Sequence, residues 1–252
     1  MRDSVQEQFR RTDEEAARRG HPSYVWRAGQ ERRLEMVRQW AKLDGVRILD
    51  NGCGVGMYTA KFCRFSPHVV GVEIDSAVAE EARTRTNAEI VVAPGEHLPF
   101  DDGNFDVVFS HEVIEHVEND RQAAAEMVRV LAPRGRIVLF CPNRLYPFET
   151  HGHFWRGRYH FGNTPLINYL PNPLRNRLAP HVRAYTGMGI RKLFAGLPVR
   201  VVHHQVIYPG FDNVVARRPG VGRWLRRGLY MAEHTPLQVF GLSHFLVLER
   251  LV

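Results

Sequence analysis

Cysteine is scarce in this chain: Cys53, Cys63 and Cys141 are the only three in 252 residues. They are too few and too scattered for a disulfide framework or a cysteine-based zinc site, which points to a reducing compartment. No run approaches the roughly 18 apolar residues that a membrane-spanning helix needs. The opening stretch MRDSVQEQFRRTDEEAARRG is polar and has no apolar core of the kind a secretory signal carries, so the expected location is cytoplasmic. Internal repeats, low-complexity linkers and blocks of six like charges are also missing. With 44% hydrophobic and 24% charged residues the composition is that of a globular protein and excludes a disordered chain.

Acidic residues are rare in one part only. Residues 151–252 hold 14 Lys/Arg against 3 Asp/Glu, a balance of +11, whereas residues 1–150 hold 20 against 24, a balance of −4. Such asymmetry fits contact with phosphate, nucleic acid or a membrane surface, and a merely solvated arginine-rich surface accounts for it equally well.

What the chain does have is alternation. Residues 5–19 and 28–42 read as helices, the second with Leu34, Val37 and Ala41 at helical spacing. A strand over 46–50 then runs into the glycine-rich DNGCGVG and a helix from about 56. HVVGVEID, AEIVVA, FDVVFS and GRIVLFC are further strands, with helices over 76–86 and 120–131 between them. This alternation predicts an α/β fold with a doubly wound, mostly parallel sheet. The rhythm breaks over 142–186, where prolines at 142, 147, 165, 171, 173 and 180 limit helices to short pieces. An irregular insertion of that length reads as a lid or substrate-binding segment. A helix over 187–196, strands over 199–207 and SHFLVLER, and the basic amphipathic helix GRWLRRGLYMAEH complete the pattern.

The turn DNGCGVG sets Gly52, Gly54 and Gly56 between a strand and a helix, where the backbone can approach a ligand closely. Glu73 ends the next strand about 20 residues on, positioned to accept hydrogen bonds from ribose hydroxyls. The pair fits a dinucleotide or S-adenosylmethionine (SAM). Four segments, ILDNGCGVGMYT, VVGVEID, HLPFDDGNFDVVFSHEVIEHV and VLAPRGRIVLFCPNR, resemble in order and spacing the motifs of class I SAM-dependent methyltransferases over residues 25–145. The last two of these argue against a dehydrogenase. The resemblance implies a seven-stranded Rossmann-like sheet over residues 45–252, with residues 1–44 as a helical cap. It implies that Asp50 and the turn Gly52, Cys53, Gly54 and Gly56 face the methionine part of SAM. Glu73 would then meet the ribose, Ile74 would flank the adenine, Gly95 and Glu96 would border its amino group, and Ser110 would close the set. Pro94 stands where many relatives carry an aspartate. Arg32 or Arg33 lies where related quinone methyltransferases hold the SAM carboxylate.

SHEVIEHV, residues 110–117, follows the fourth strand. A helix starting here would stack Glu112, Glu115 and His116 on one face, as a metal site, a general-base site or a plain acidic first turn. The segment resembles ubiquinone-biosynthesis O-methyltransferases and small-RNA 2′-O-methyltransferases, in which the matching residues are associated with a divalent cation. A further histidine after the fifth strand completes that site in the RNA enzymes, and FETHGHF offers His151 and His153 here. The implied metal set is Glu112, Glu115, His116 and His151 with Mg²⁺, which would lower the pKa of an attacking hydroxyl. Without a metal, His111, His116, His151 or His153 would serve as general base.

The expected reaction is O-methylation of a hydroxylated small molecule of quinone, lipid or sugar type. N-methylation of an amine such as a phospholipid headgroup and 2′-O-methylation of RNA are the alternatives. No aromatic platform with interleaved basic residues supports nucleic acid as a partner. Apolar residues mix with Arg175, Arg177 and Arg183 over 165–186, and residues 217–227 are basic, so both stretches are candidates for peripheral lipid contact. A lid packed on its own core is the other reading of 165–186.

Overall fold

In the computed structural model, which describes residues 27–252, the apolar runs become buried strands and the periodic segments become the helices that cover them. The helix expected over 5–19 lies outside the described residues. The first half comprises α1 (Ala28–Trp40), β1 (Ile48–Asn51), α2 (Met57–Phe62), β2 (Val69–Glu73), α3 (Ser76–Arg85) and β3 (Glu89–Val92). It continues with β4 (Phe105–His111), α4 (Asp120–Val130) and β5 (Leu131–Pro142). The insertion forms two small ribbons: β6 (Phe148–Glu149) pairs with β9 (Thr164–Pro165), and β7 (His153–Trp155) pairs with β8 (Arg158–His160). A short helix α5 (Asn172–Leu178) follows, then α6 (Gly187–Leu193), β10 (Val199–Ile207), α7 (Asp212–Arg217), α8 (Pro219–Ala232) and β11 (Ser243–Arg250).

The central sheet has seven strands in the order β3-β2-β1-β4-β5-β11-β10, parallel except for β11, which runs antiparallel to both neighbours. Strands covered on both faces read as continuous apolar runs, and β1 and the Ile137–Cys141 stretch of β5 are buried throughout. Successive residues point to opposite faces, so Val108 and Leu139 pack with Met127 of α4 on one side. Phe109 and Phe140 pack with Leu34 and Val37 of α1 and Phe62 of α2 on the other. Residues of α1 thus belong to the core layer of the sheet.

Strand order reverses between β1 and β4, which opens a crevice at their carboxyl ends. The register sets Asn51 beside Ser110 and His111 beside Phe140. The insertion leaves β5 at that same edge, and α7 and α8 follow β10 there, because β5 and β10 point the same way. The helix expected at SHEVIEHV is not formed. β4 continues through His111, Glu112 adopts a left-handed φ of 57°, and residues 114–116 make a turn. Helix α4 begins only at Asp120, where the Asn119 side chain accepts from Gln122 N–H at 3.1 Å as its N-cap. Among the described residues no helix is long and apolar enough to cross a membrane.

Candidate active site

At the end of β1 the glycine turn works through backbone geometry. Gly52, Gly54 and Gly56 all have positive φ, of 80°, 53° and 78°. The Glu73 carboxylate, at the end of β2, accepts from Gly54 N–H at 3.0 Å and from Asp75 N–H at 3.0 Å, which ties the turn to the neighbouring strand. Asp50 is buried and accepts from the Thr59 hydroxyl at 2.6 Å, and burial pushes its carboxyl up to about 7. Burial likewise raises the Cys53 thiol, so this cysteine is an inert wall of the turn. Ile74 is 62% exposed beside Glu73, an apolar group left uncovered at the crevice. Gly95 lies close to Asn51, since a Cβ there would sit 3.5 Å from Asn51 Oδ1. Asn51 Oδ1 and Ser110 Oγ are buried without a hydrogen-bond partner, two polar atoms aimed where a ligand can satisfy them.

Two of the proposed cofactor ligands are engaged elsewhere. Glu96 accepts from Glu118 N–H at 2.7 Å and Asn119 N–H at 3.3 Å, so its carboxylate braces the turn after β4. Arg32 forms a bidentate pair with Glu233 just past α8 and stacks over Tyr230 at 3.8 Å. Its neighbour Arg33 faces the crevice instead: its guanidinium lies 5.8 Å from the Phe140 ring, and its charge acts on His111 and Glu112.

Beyond the turn, one ligand atom from each of Glu115, His116 and His151 lies within 4.8 Å of the others. Glu112 stands at the rim: its Oε2 is 3.7 Å from His151 Nε2, and its Oε1 accepts from Ser243 Oγ at 3.0 Å. Both Glu115 oxygens are buried without a hydrogen-bond partner, and burial beside Glu112 pushes this carboxyl well up. Burial works against the Glu112 carboxylate, yet the neighbouring His151 and the charge of Arg33 hold it below the usual range. His116 is driven down to about 4 by burial and by His151. Burial opposes charge on His151 too, but Glu112 and Glu149 raise it to about 10. His111 is half-buried among aromatic rings and lowered to about 4 by desolvation and by Arg33, and its Nε2 has no partner. His153 is not brought to this group: its Nδ1 is 3.0 Å from Thr164 Oγ1, and its ring stacks on His160.

Several neighbours of the cluster escaped sequence reasoning. His181 places its carbonyl 3.3 Å from His116 Nδ1, and Arg183 N–H donates to the Glu115 carbonyl at 3.0 Å. Glu149 accepts from His151 Nδ1 at 3.2 Å and pairs with the buried Arg175 at 2.9 Å. Glu149 stands in FETHGHF two residues before His151 and could have been found there; Arg175, expected among the arginines of a lipid-contact stretch, is instead buried against Glu149.

The methyltransferase domain family matches residues 49–139. An uncharacterized methyltransferase of Mycobacterium bovis is 30% identical over 167 residues, which cover 59% of this chain and 82% of that protein. A ubiquinone biosynthesis O-methyltransferase of Nitrosococcus oceani is 31% identical over 118 residues, covering 44% of this chain and 50% of that protein. The chain spans less than half the length of other curated relatives that it matches, 43% and 45% for two of them. Among solved structures, an S-adenosylmethionine dependent methyltransferase from Mesorhizobium loti superposes with a TM-score of 0.61 at 18% identity, covering 86% of this chain and 96% of that one. At that identity the likeness concerns the fold.

Proposed function

Because the chain belongs to the class I S-adenosylmethionine-dependent methyltransferase superfamily, we propose that it methylates a hydroxyl oxygen of a small-molecule acceptor of quinone, lipid or sugar type. The observation that carries this reading is the group of buried Glu115 with half-buried His116 and His151; the first two lie in the turn after β4 whose Val113 stands against Gly52, and the insertion brings His151 to them. SAM, when bound, supplies an electrophilic methyl on a sulfonium. The chain has to cradle it with the glycine turn and Glu73, align the acceptor in line, and handle the hydroxyl proton. The relative from Nitrosococcus oceani supports oxygen as the acceptor atom.

The cluster's donors fit a divalent cation. His116 Nδ1 faces the His181 carbonyl and His151 Nδ1 faces Glu149, which leaves Nε2 of each ring for the centre, beside the unpartnered Glu115 carboxylate. Two imidazoles and one carboxylate suit Mn²⁺ or a later first-row ion better than Mg²⁺, which prefers oxygen ligands. Glu115, His116 and His151 would hold such an ion, and it would acidify a bound hydroxyl. A second reading rests on the raised pKa of His151, about 10: the ring holds a proton among the carboxylates, and methyl transfer survives chelation.

We take the 142–186 insertion as the acceptor-side lid and the exposed face of α8 as a lipid contact. Trp155, Leu166 and Tyr169 of the insertion and Trp224 and Met231 of α8 are exposed beside arginines, an arrangement suited to an interface of anionic lipid. Metabolite profiling of a deletion strain tests the reaction. A hydroxylated species lacking one methyl should accumulate, and purified protein with methyl-labelled SAM should convert it. Label appearing on an amine would overturn the O-methyl assignment. Full activity after exhaustive chelation would decide for the proton reading.

A further inference from the structure

The insertion is organised around one buried ion pair. Arg175, of α5, and Glu149, of β6, are each only 2% exposed, and Arg175 Nη2 donates to Glu149 Oε2 at 2.9 Å. The other two nitrogens of Arg175 also donate: Nη1 to the Val182 carbonyl at 2.8 Å and Nε to Asn168 Oδ1 at 3.3 Å. Asn168 in turn donates to the Phe148 carbonyl at 2.9 Å, which fixes the residue just before Glu149. A buried pair of this kind contributes little net stability, because desolvating both charges offsets their attraction. What it does supply is orientation. With Oε2 held by Arg175, Glu149 Oε1 accepts from both the backbone N–H of His151, at 3.0 Å, and its ring Nδ1, at 3.2 Å.

We infer that Glu149 is a positioning residue: anchored by Arg175, it fixes the His151 ring so that Nε2 faces Glu112 and Glu115 and is available to a divalent cation. This rests on the cation reading of the cluster. A ring whose Nδ1–H is given to a carboxylate has its lone pair on Nε2, the arrangement that orients histidine ligands around metals. His151 Nε2 is 3.7 Å from Glu112 Oε2 and 3.9 Å from Glu115 Oε1. Those spacings are too long for hydrogen bonds, yet two ligands that each lie about 2.1 Å from one ion stand up to about 4 Å apart. The pair therefore links the fold of the insertion to the geometry of the site: α5 holds Glu149, and Glu149 aims His151.

Mn²⁺ titration of the full-length chain, followed by the paramagnetic resonance of the free ion, tests the inference. Wild type is expected to bind Mn²⁺, E149Q more weakly, and E149L/R175M about 10- to 100-fold more weakly. The double variant removes both buried charges together, and unchanged S-adenosylhomocysteine affinity verifies its folding. Equal Mn²⁺ affinity in wild type and E149L/R175M overturns the role given to Glu149 while the cation reading stands. Absence of Mn²⁺ binding by wild type overturns the cation reading and this inference with it. Nitrogen-15 NMR of the Zn²⁺-loaded protein supplies a readout that general destabilisation does not move. His151 should coordinate through Nε2 with hydrogen on Nδ1 in wild type and lose that signature in the double variant. The same signature in both would also overturn the inference.

Discussion

A Cβ at Gly52 would lie 2.2 Å from Val113 Cγ2, and its φ of 80° is one that L side chains rarely adopt. Gly52→Ala must therefore displace the β4 turn or open the glycine cradle. The left-handed conformation alone costs about 1–2 kcal/mol, so S-adenosylhomocysteine affinity is expected to fall about tenfold or more by calorimetry. Affinity equal to wild type would show that the turn is not the cofactor cradle. Asp50 makes a pH-dependent prediction. Burial keeps its carboxyl protonated up to about 7 in the fold, against an ordinary 3.8. Between those values the folded chain binds more protons than the unfolded one, so Asp50 makes the protein less stable as pH rises from about 4 to 7, after which the effect levels off. Asp50→Asn keeps an acceptor for Thr59 and removes the titration. Relative to wild type it should gain on the order of 4 kcal/mol between pH 4 and 8, read from urea unfolding. Parallel pH profiles of the two proteins would refute the assignment. The placement of Gly52, Asp50 and Glu73 was legible because it is local: a turn needs glycine where a strand meets a helix, and a strand end presents its last side chain. The choice between Arg32 and Arg33 was not legible, since it depends on the phase of α1 against α8, which are far apart in sequence.

The elements show the same division between local and distant causes. Strand and helix limits follow the apolar periodicity closely where the central strands β1, β4 and β5 are covered on both faces and α1, α3 and α4 on one. The misread element is SHEVIEHV. Helical spacing was present, but the positive φ of Glu112 and the docking of Arg183 on the Glu115 carbonyl hold a turn there, and the second comes from the insertion. The insertion itself carries no periodicity; buried Glu149, Asn168 and Arg175 order it, and pairing of polar groups leaves no pattern in sequence. Contact between α1 and the end of α8 rests on the fully buried Glu233, which receives Arg32 and also accepts from Tyr208 N–H at 2.8 Å. Glu233→Gln leaves the partly exposed Arg32 without its counter-charge and should cost about 1–3 kcal/mol in urea unfolding. Arg32→Met should likewise weaken the fold yet leave S-adenosylhomocysteine affinity intact, whereas Arg33→Met should reduce it. A larger loss of affinity for Arg32→Met would restore Arg32 as the carboxylate ligand.

At the scale of the whole molecule, the charge asymmetry acquires a direction. The segment with 14 Lys/Arg against 3 Asp/Glu builds the insertion and α8, which both lie at the carboxyl edge of the sheet where the acceptor would enter. Part of that charge is internal: Arg175 holds Glu149, and Arg226 pairs with Asp212 at 2.9 Å. Arg223 and Arg227 remain on α8, where with Met231, 60% exposed, they line an open trough of about 410 Å³, and Trp224, next to Arg223 in the chain, is 78% exposed. A solvated arginine face does not require a tryptophan beside it, and an apolar docking site for protein does not require the arginines. Anionic lipid uses both, through charge attraction of about 1 kcal/mol per arginine near the surface and through interfacial burial of the aromatic ring. Flotation with phosphatidylglycerol vesicles should therefore carry the protein at low salt, and neutral phosphatidylcholine vesicles should not. Arg223→Glu with Arg227→Glu is expected to weaken binding at least tenfold. Trp224→Ser should leave the salt dependence in place while lowering the affinity that persists at high salt, because the ring contributes burial rather than charge. Binding unaffected by the charge reversal would remove lipid as the explanation for the basic face. The surplus arginines would then be read as surface solvation, and the acceptor would have to reach the crevice from solution.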